Sequence, residues 1–500
     1  MDQTTQTKQT TQVNAQDKTQ MQSTKTFEKR GVTKKSENMS DWYVDVIVKS
    51  GMADYSPVKG CIVYRPLSYG IWETVRNEMD KKFRKMGIEN CYFPLFIPES
   101  LLKKEQHHVE GFSPELAVVT IGGGEELSEK LIVRPTSETI MYAMYAKWVH
   151  SHRDLPILLN QWNSVVRWEK RTYFFLRGME FLWQEAHTAH ATHTEAWQQV
   201  LTALDSYAEI YQDVLAIPVT KGRKSEAEKF AGADVTTAVE VMMPDGKALQ
   251  GATSHDLGQN FSKAFKISFQ NEKSEMEFAW QTSFGLSTRA LGALVMVHGD
   301  DQGLVLPPMV APTQVVIVPI GDDDQLHEIT DTKRLALEKV GVRVKVDARK
   351  EYSLGFKRNE WELKGTPIRI EIGKKELETG SVTVAIRHSG EKIQQDIASL
   401  EEALPKLLEK IQRDMLEKAK TMQKSLTSTA QTYAQFKEIM AAKRGFIHAL
   451  WCEDPGCEAK IKEETKATTR CLPLDAKEEV GVCVYCGKPA KHRWVFAQAY

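Results

Sequence analysis

The chain has 500 residues, 41% of them hydrophobic and 27% charged, with 66 Lys plus Arg against 67 Asp plus Glu. This describes a globular protein of about three or four domains, and its charge balance confines any nucleic-acid footprint to local patches. The longest apolar runs, such as 314–320, fall far short of the roughly 20 residues of a membrane helix, so no membrane partner is expected.

Residues 1–37 open on a Gln/Thr-rich tract with no apolar core of a secretory signal, and are expected to be a disordered tail. From Tyr69 the apolar positions Trp72, Val75, Met79, Phe83 and Met86 recur at steps of three or four, which predicts an amphipathic helix stopped by Gly87. CysTyrPhePro at 91–94 reads as a strand, as do 131–133, 163–170, 180–185 and 265–269, with helices between them in an α+β domain over 38–311. In ArgProThrSerGluThr at 134–139, Thr136 or Ser137 can cap the following helix and Glu138 can complement its dipole.

ValValArgTrpGlu puts Arg167 and Glu169 two apart on a predicted strand, so both leave the same face. A guanidinium there can clamp a phosphate while the carboxylate accepts from an adenine amine; a hairpin with a cross-strand ion pair fits the same residues. The returning strand sets Phe181, Trp183, Glu185 and His187 on one face, and the loop between holds Arg171 and Arg177. Arg289, in the first turn of an apolar helix after Gly285, calls for an anion or a ring, or is a snorkelling side chain.

A β-rich run at 313–320 begins a second pattern, with a helix over 324–340, a strand over 342–347, a further helix, and strands over 368–372 and 382–386. This is a small α/β domain over 312–405, and a helix from Leu400 to about Ser425 leads into a C-terminal α/β module over 406–500. Glu360 and Lys364 share a helix face, as an i,i+4 ion pair or as base readers beside Trp361. Four of the seven cysteines, Cys452 and Cys457, then Cys483 and Cys486 after 25 residues, have the spacing of tetrahedral thiolate coordination, with Cys471 as the one substitute ligand. So sparse a set fits a reducing cytoplasm and no disulfide framework.

In order, the helix with Pro94, the Arg-x-Glu hairpin and the Gly-then-Arg helix resemble motifs one, two and three of class II aminoacyl-tRNA synthetases. Within that class, ArgProThrSerGlu, TrpGlnGluAlaHisThrAlaHisAlaThr at 183–192, LysPheAlaGlyAlaAsp at 229–234 and LeuGlnGlyAlaThrSerHisAspLeuGlyGlnAsnPheSer at 249–262 resemble prolyl-tRNA synthetases. The 355–367 segment and the terminal HisArgTrpValPheAlaGlnAlaTyr resemble the anticodon-binding and C-terminal domains of the archaeal- and eukaryotic-like type. The resemblance spans nearly everything after the tail.

It implies a six-stranded antiparallel sheet, a homodimer built on the Pro94 motif, and ATP-dependent activation of L-proline for transfer to tRNA(Pro), with Mg2+ and a structural Zn2+. Arg167 and Arg289 would be catalytic. Arg167, Glu169, Arg177, Phe181, Gln250, Thr253 and Arg289 would bind ATP; Thr136 and Glu138 would take the proline ammonium, beside Arg167, Trp183, Phe230, His255 and Ser283. Glu360 and Lys364 would read the anticodon, Cys452, Cys457, Cys483 and Cys486 would hold zinc, and Tyr500 would approach the active site. The 66 residues between Trp183 and Gln250 are too few for the editing insertion of the bacterial-type enzymes. The competing readings are a threonyl or glycyl enzyme of the same class, and a non-catalytic RNA-binding derivative.

Overall fold

The structure, a computed structural model, describes residues 31–102, 116–321 and 323–500. Most of the expected disordered tail lies outside the described residues. Its end does not behave as a tail: Thr33 donates to Asp45 at 2.7 and 2.8 Å, and Lys35 Nζ reaches the carbonyl oxygens of Met296 and Gly299. The Lys35 contacts satisfy carbonyls at the C-terminal end of the 289–298 helix.

Helix α1 (Met39–Ser50) starts where the Asn38 side chain accepts from Ser40 N and Asp41 N, and stops at Gly51 with φ 78°. Helix α2 (Pro66–Lys85) has Pro in its first turn and buries Ile71, Trp72, Val75, Met79 and Phe83 along one face. Each such side chain contributes roughly 1.5–3 kcal/mol relative to exposure. Gly87, at φ 75°, turns the chain out of this helix into the sheet.

The central sheet runs through β1 (Glu89–Asn90), β2 (Ile157–Val166), β3 (Glu180–His190), β4 (Thr220–Arg223), β5 (Val235–Met242), β6 (Ala248–Gly258) and β7 (Trp280–Ser287). Its order is β4-β5-β6-β7-β3-β2-β1, six antiparallel strands with β1 added parallel to β2. Helices α3 (Glu138–Trp148), α4 (His193–Glu209) and α5 (Arg289–His298) complete the layer. Alpha4 begins with a Thr192/Glu195 capping box and runs on into a π turn at Ile210–Val214.

Three expected strands are corrected. Residues 91–94 are not strand; pairing stops at Asn90, and Cys91 keeps one bond to Asn160 O at 2.7 Å. Strand β2 ends at Val166, because Glu169 N turns back to Arg167 O at 2.7 Å and opens the 167–179 loop. At 265–269 the chain is first a helix, Asn260–Phe265, and then a short strand, Ser268–Gln270; alternately placed Phe265, Ile267 and Phe269 are buried across a left-handed Lys266.

A second sheet of β8 (Val315–Ile320), β9 (Val344–Val346), β10 (Ile368–Gly373), β11 (Ser381–Ile386) and β12 (Lys392–Asp396) has the order β9-β8-β10-β11-β12. It carries α6 (Leu354–Leu363), and α7 (Leu400–Ser425) covers its core with Leu400, Leu404, Leu408, Ile411 and Met415. The C-terminal strands β13 (Thr427–Thr429), β14 (Phe446–Trp451), β15 (Ala467–Pro473) and β16 (His492–Gln498) do not form a separate sheet. Strand β15 pairs with β4 through Leu472–Arg223 and Pro473–Gly222, giving one sheet of eleven strands among the described residues.

Candidate active site

On one face of the central sheet an open cleft with about 130 Å³ of room for water-sized molecules is lined by residues of three strands, three loops and the first turns of α3 and α5. Strand alternation brings Phe181, Trp183, Glu185 and His187 of β3, and Ser283, Gly285 and Ser287 of β7, to that face. Gln250, Thr253 and His255 line it from β6 although 250 and 253 are three apart. The register explains this: Val239 pairs with Ala252 and Glu240 with Gln250, so Gly251 is a bulge that resets the alternation. A Cβ at Gly251 would meet the Tyr211 ring at 2.8 Å, and Tyr211 Oη donates to Gly251 O at 3.1 Å.

Arg167 donates from Nε to Pro135 O at 3.1 Å, next to Thr136, and lies 5.4 and 5.5 Å from the Trp183 and Phe181 ring centres. Arg289 is held by the carbonyl oxygens of Leu176 (3.2 Å) and Gln250 (3.3 Å). Burial lowers its pKa, an effect that Tyr211 opposes and that Arg167 and Arg177 add to. Two guanidiniums lining one cleft suit an anion.

Thr136 Oγ1 donates to Glu138, and both line the cleft with Trp183, Phe230 and His255. His255 packs on Phe230 with ring centres 4.7 Å apart and the planes tilted by 35°, and Thr236 Oγ1 fixes both His255 Nδ1 and Phe230 N at 2.9 Å. Beneath Thr136 lies a network that sequence reading left without a role. The Glu185 carboxylate meets Ser137 Oγ (2.5 Å), Ser137 N (3.0 Å), Gln161 Nε2 (2.8 Å), Asn163 Nδ2 (2.6 Å) and His187 Nε2 (3.0 Å). Burial would raise its pKa, but the hydrogen bond and charge of His187, with Ser137 and Asn163, outweigh that and hold it below the usual carboxylate range. His187 is in turn raised: burial lowers it, and the charges of Glu138 and Glu185 prevail. The signal available in the sequence was the shared strand face of Trp183, Glu185 and His187.

Three expected arrangements change. Neither Thr136 nor Ser137 caps α3; the N-cap Ser137 makes no side-chain cap bond, its hydroxyl being engaged by Glu185. Glu169 and Arg177 do not line the cleft but pair with each other at 2.8 Å on the 167–179 loop. Trp361 is not a stacking surface, since it is buried with its indole N–H on Asp347 at 2.8 Å. Glu360, near it, binds Lys364 at 2.6 Å and Arg349 at 2.5 Å.

In the C-terminal module the sulfurs of Cys452, Cys457, Cys483 and Cys486 lie within 4.8 Å of one another, with Cys452 3.7 Å from Cys457 and 3.6 Å from Cys486. A tetrahedral zinc with Zn–S of about 2.3 Å separates its sulfurs by about 3.8 Å, so the set fits that ion. Cys471 is elsewhere, buried in the sheet against Gly222. Tyr500 is outside the cleft lining; its Oη donates to Asp245 at 2.9 Å and its N to Ala248 O at 3.1 Å, two residues before Gln250.

Three family descriptions match the chain: tRNA synthetase class II core domain (G, H, P, S and T) over 119–298, anticodon binding domain over 314–407, and prolyl-tRNA synthetase, C-terminal, over 433–500. The proline–tRNA ligase of Alkaliphilus oremlandii is 51% identical over 474 residues, covering 94% of this chain and 98% of that one. Proline–tRNA ligase 2 of Clostridioides difficile is 50% identical over 470 residues, with 94% and 98% covered. A crystal structure of prolyl-tRNA synthetase from Cryptosporidium parvum complexed with L-proline and AMP aligns with a TM-score of 0.90 at 44% identity, covering 94% of this chain and 97% of that one. A second from the same organism, complexed with halofuginone and AMPPNP, also gives 0.90, at 46% identity and 94% and 100% coverage.

Proposed function

The chain belongs to the prolyl-tRNA synthetase family, and from that premise we propose how its cleft performs the family's reaction. The enzyme is a proline–tRNA ligase of class II, which activates L-proline with ATP and transfers it to the 3′-terminal adenosine of tRNA(Pro). In the first step a proline carboxylate oxygen attacks the α-phosphorus of ATP and pyrophosphate leaves. In the second, a ribose hydroxyl of the tRNA attacks the adenylate carbonyl and AMP leaves.

The observation that carries the assignment is one cleft lined both by a hydroxyl–carboxylate pair, Thr136 and Glu138, and by two guanidiniums, Arg167 and Arg289. Thr136 and Glu138 accept the two N–H groups of the prolyl ammonium, a charge-assisted arrangement. Trp183, Phe230 and His255 wall the pyrrolidine ring, and Ser283 lies on its floor. Arg167 sits between the two substrates and binds the proline carboxylate and the α-phosphate as negative charge builds there. Phe181 and Arg289 hold the adenine, and Gln250 and Thr253 take the ribose or phosphates. Glu169 and Arg177 join ATP only once their mutual pair opens. Mg2+ would come with the phosphates of ATP and would supply charge neutralisation there, beside Arg167 and Arg289.

The remaining assignments rest on local features. The four clustered cysteines hold a structural zinc, since full thiolate coordination leaves no position for substrate. Tyr69 on α2, with Tyr92 and Phe96 beside Pro94, offers exposed apolar surface for a homodimer. Glu360 and Lys364 contact the anticodon after releasing each other, and the working units are 38–311, 312–405 and 406–500. Seven free cysteines suit a cytoplasmic site. Amino-acid-dependent ATP/pyrophosphate exchange across the standard amino acids tests the function: proline gives the fastest exchange, and exchange with none would favour a non-catalytic RNA-binding role.

A further inference from the structure

We propose that Arg470, in the C-terminal module, is a positioning residue for the nucleotide end of the cleft, acting through Glu240 on Gln250. This deepens the functional reading above and rests on its assignment of Gln250 to ATP.

The Glu240 carboxylate on β5 is fully buried and receives Arg470 Nε at 2.9 Å, Arg470 Nη2 at 3.2 Å and Lys224 Nζ at 2.8 Å. Glu240 stands opposite Gln250 at the register step that makes Gly251 a bulge. Gln250 lines the cleft, and its carbonyl accepts from Arg289. The bulge is therefore pinned on one side by Tyr211 and on the other by a charge cluster whose bidentate member belongs to β15. At the turn of the same hairpin, Gly445 N of the C-terminal module donates to Gly246 O at 2.9 Å, and a Cβ at Gly246 would strike Lys443 O at 2.6 Å. A bulge can settle one residue to either side, and such a move turns over the residue it passes while the register beyond it on both sides is kept. Fixing Glu240 fixes which residue is extra, and hence whether Gln250 faces ATP. His255, opposite Thr236, lies farther along the hairpin from this step, so the proline end is less affected.

The test is steady-state ATP/pyrophosphate exchange with Arg470→Met, which leaves Glu240 paired with Lys224, and with Arg470→Lys, which keeps the charge but not the fork. Arg470→Met is expected to raise the ATP KM about fivefold or more and leave the proline KM within about twofold; Arg470→Lys should raise the ATP KM less. An unchanged ATP KM, or equal rises in both KM values, overturns the proposal. If Arg470→Met does not fold, Arg470→Lys decides alone, and no rise in its ATP KM overturns it. Gln250→Ala separates the two levels. If it leaves the ATP KM unchanged, the nucleotide role of Gln250 fails; if it raises the KM while the Arg470 variants do not, only the positioning role fails.

Discussion

Ser137 and Glu185 meet side chain to side chain, with Ser137 Oγ 2.5 Å from Glu185 Oε1 and Ser137 N 3.0 Å from Oε2. The residue in the N-cap position of α3 thus leaves the helix end and ties the 134–138 loop to β3. That tie aims Thr136 and Glu138 into the cleft, and His187, Ser137 and Asn163 hold the anchoring carboxylate below the usual carboxylate range.

The Glu185–His187 pair makes a signed prediction for stability against pH. Burial lowers the His187 pKa, but the charges of Glu138 and Glu185 raise it above the usual 6.5. A group with a raised folded pKa stabilises fully below its unfolded value, and that contribution is lost as pH rises through the folded one. The Tm advantage of the native protein over His187→Asn should therefore be largest below pH 6.5 and shrink above it. The Glu185 contribution has the opposite sign and is lost only on acidification well below the usual carboxylate range. Melting curves from mildly acid to alkaline pH check this, and an advantage that grows with pH would be inconsistent with it.

Metal analysis should find about one zinc per chain. Cys457→Ser should release it and lower Tm before it lowers proline-dependent exchange, because the site belongs to the C-terminal core and not to the cleft. Cys471→Ala should keep the metal. A metal-free native protein, or zinc loss on changing Cys471, would remove the assignment.

Alanine should be activated and should stay on the tRNA. A pocket sized for proline rejects a smaller side chain by only about 1–3 kcal/mol. Between Trp183 and Gln250 the chain is occupied by the end of β3, α4, the π turn, β4 and β5, which leaves no separate hydrolytic domain. Following alanyl-tRNA with time in the presence of this enzyme alone checks this; rapid deacylation would contradict it.

Local pattern carried the reading of the fold a long way. The three-and-four spacing from Trp72 to Phe83 and the period-two face of Phe181, Trp183, Glu185 and His187 follow from helix and strand geometry, and both are present. The misread pieces depended on contacts distant in sequence. Ser137 looked like a cap because its rival, Glu185, is 48 residues away. Trp361 looked available because Asp347, which holds its indole N–H, lies 14 residues away, just after β9. The Gly251 bulge had a visible signal, a glycine inside a strand pattern, but the Tyr211 ring that requires it comes from the π turn.

The most direct test of the cleft assignment is the proline KM of Glu138→Ala in ATP/pyrophosphate exchange, measured together with its Tm. Glu138 is buried beside Thr136 at the apolar end, so losing the carboxylate leaves the prolyl ammonium desolvated and short of an acceptor. Such a loss costs about 2–5 kcal/mol, and the proline KM should rise at least about tenfold while the ATP KM holds. A first-turn partner of the α3 dipole would instead cost about 0.3–1 kcal/mol of stability and leave proline binding untouched. A near-native proline KM with a lowered Tm would contradict the placement of proline at Thr136 and Glu138.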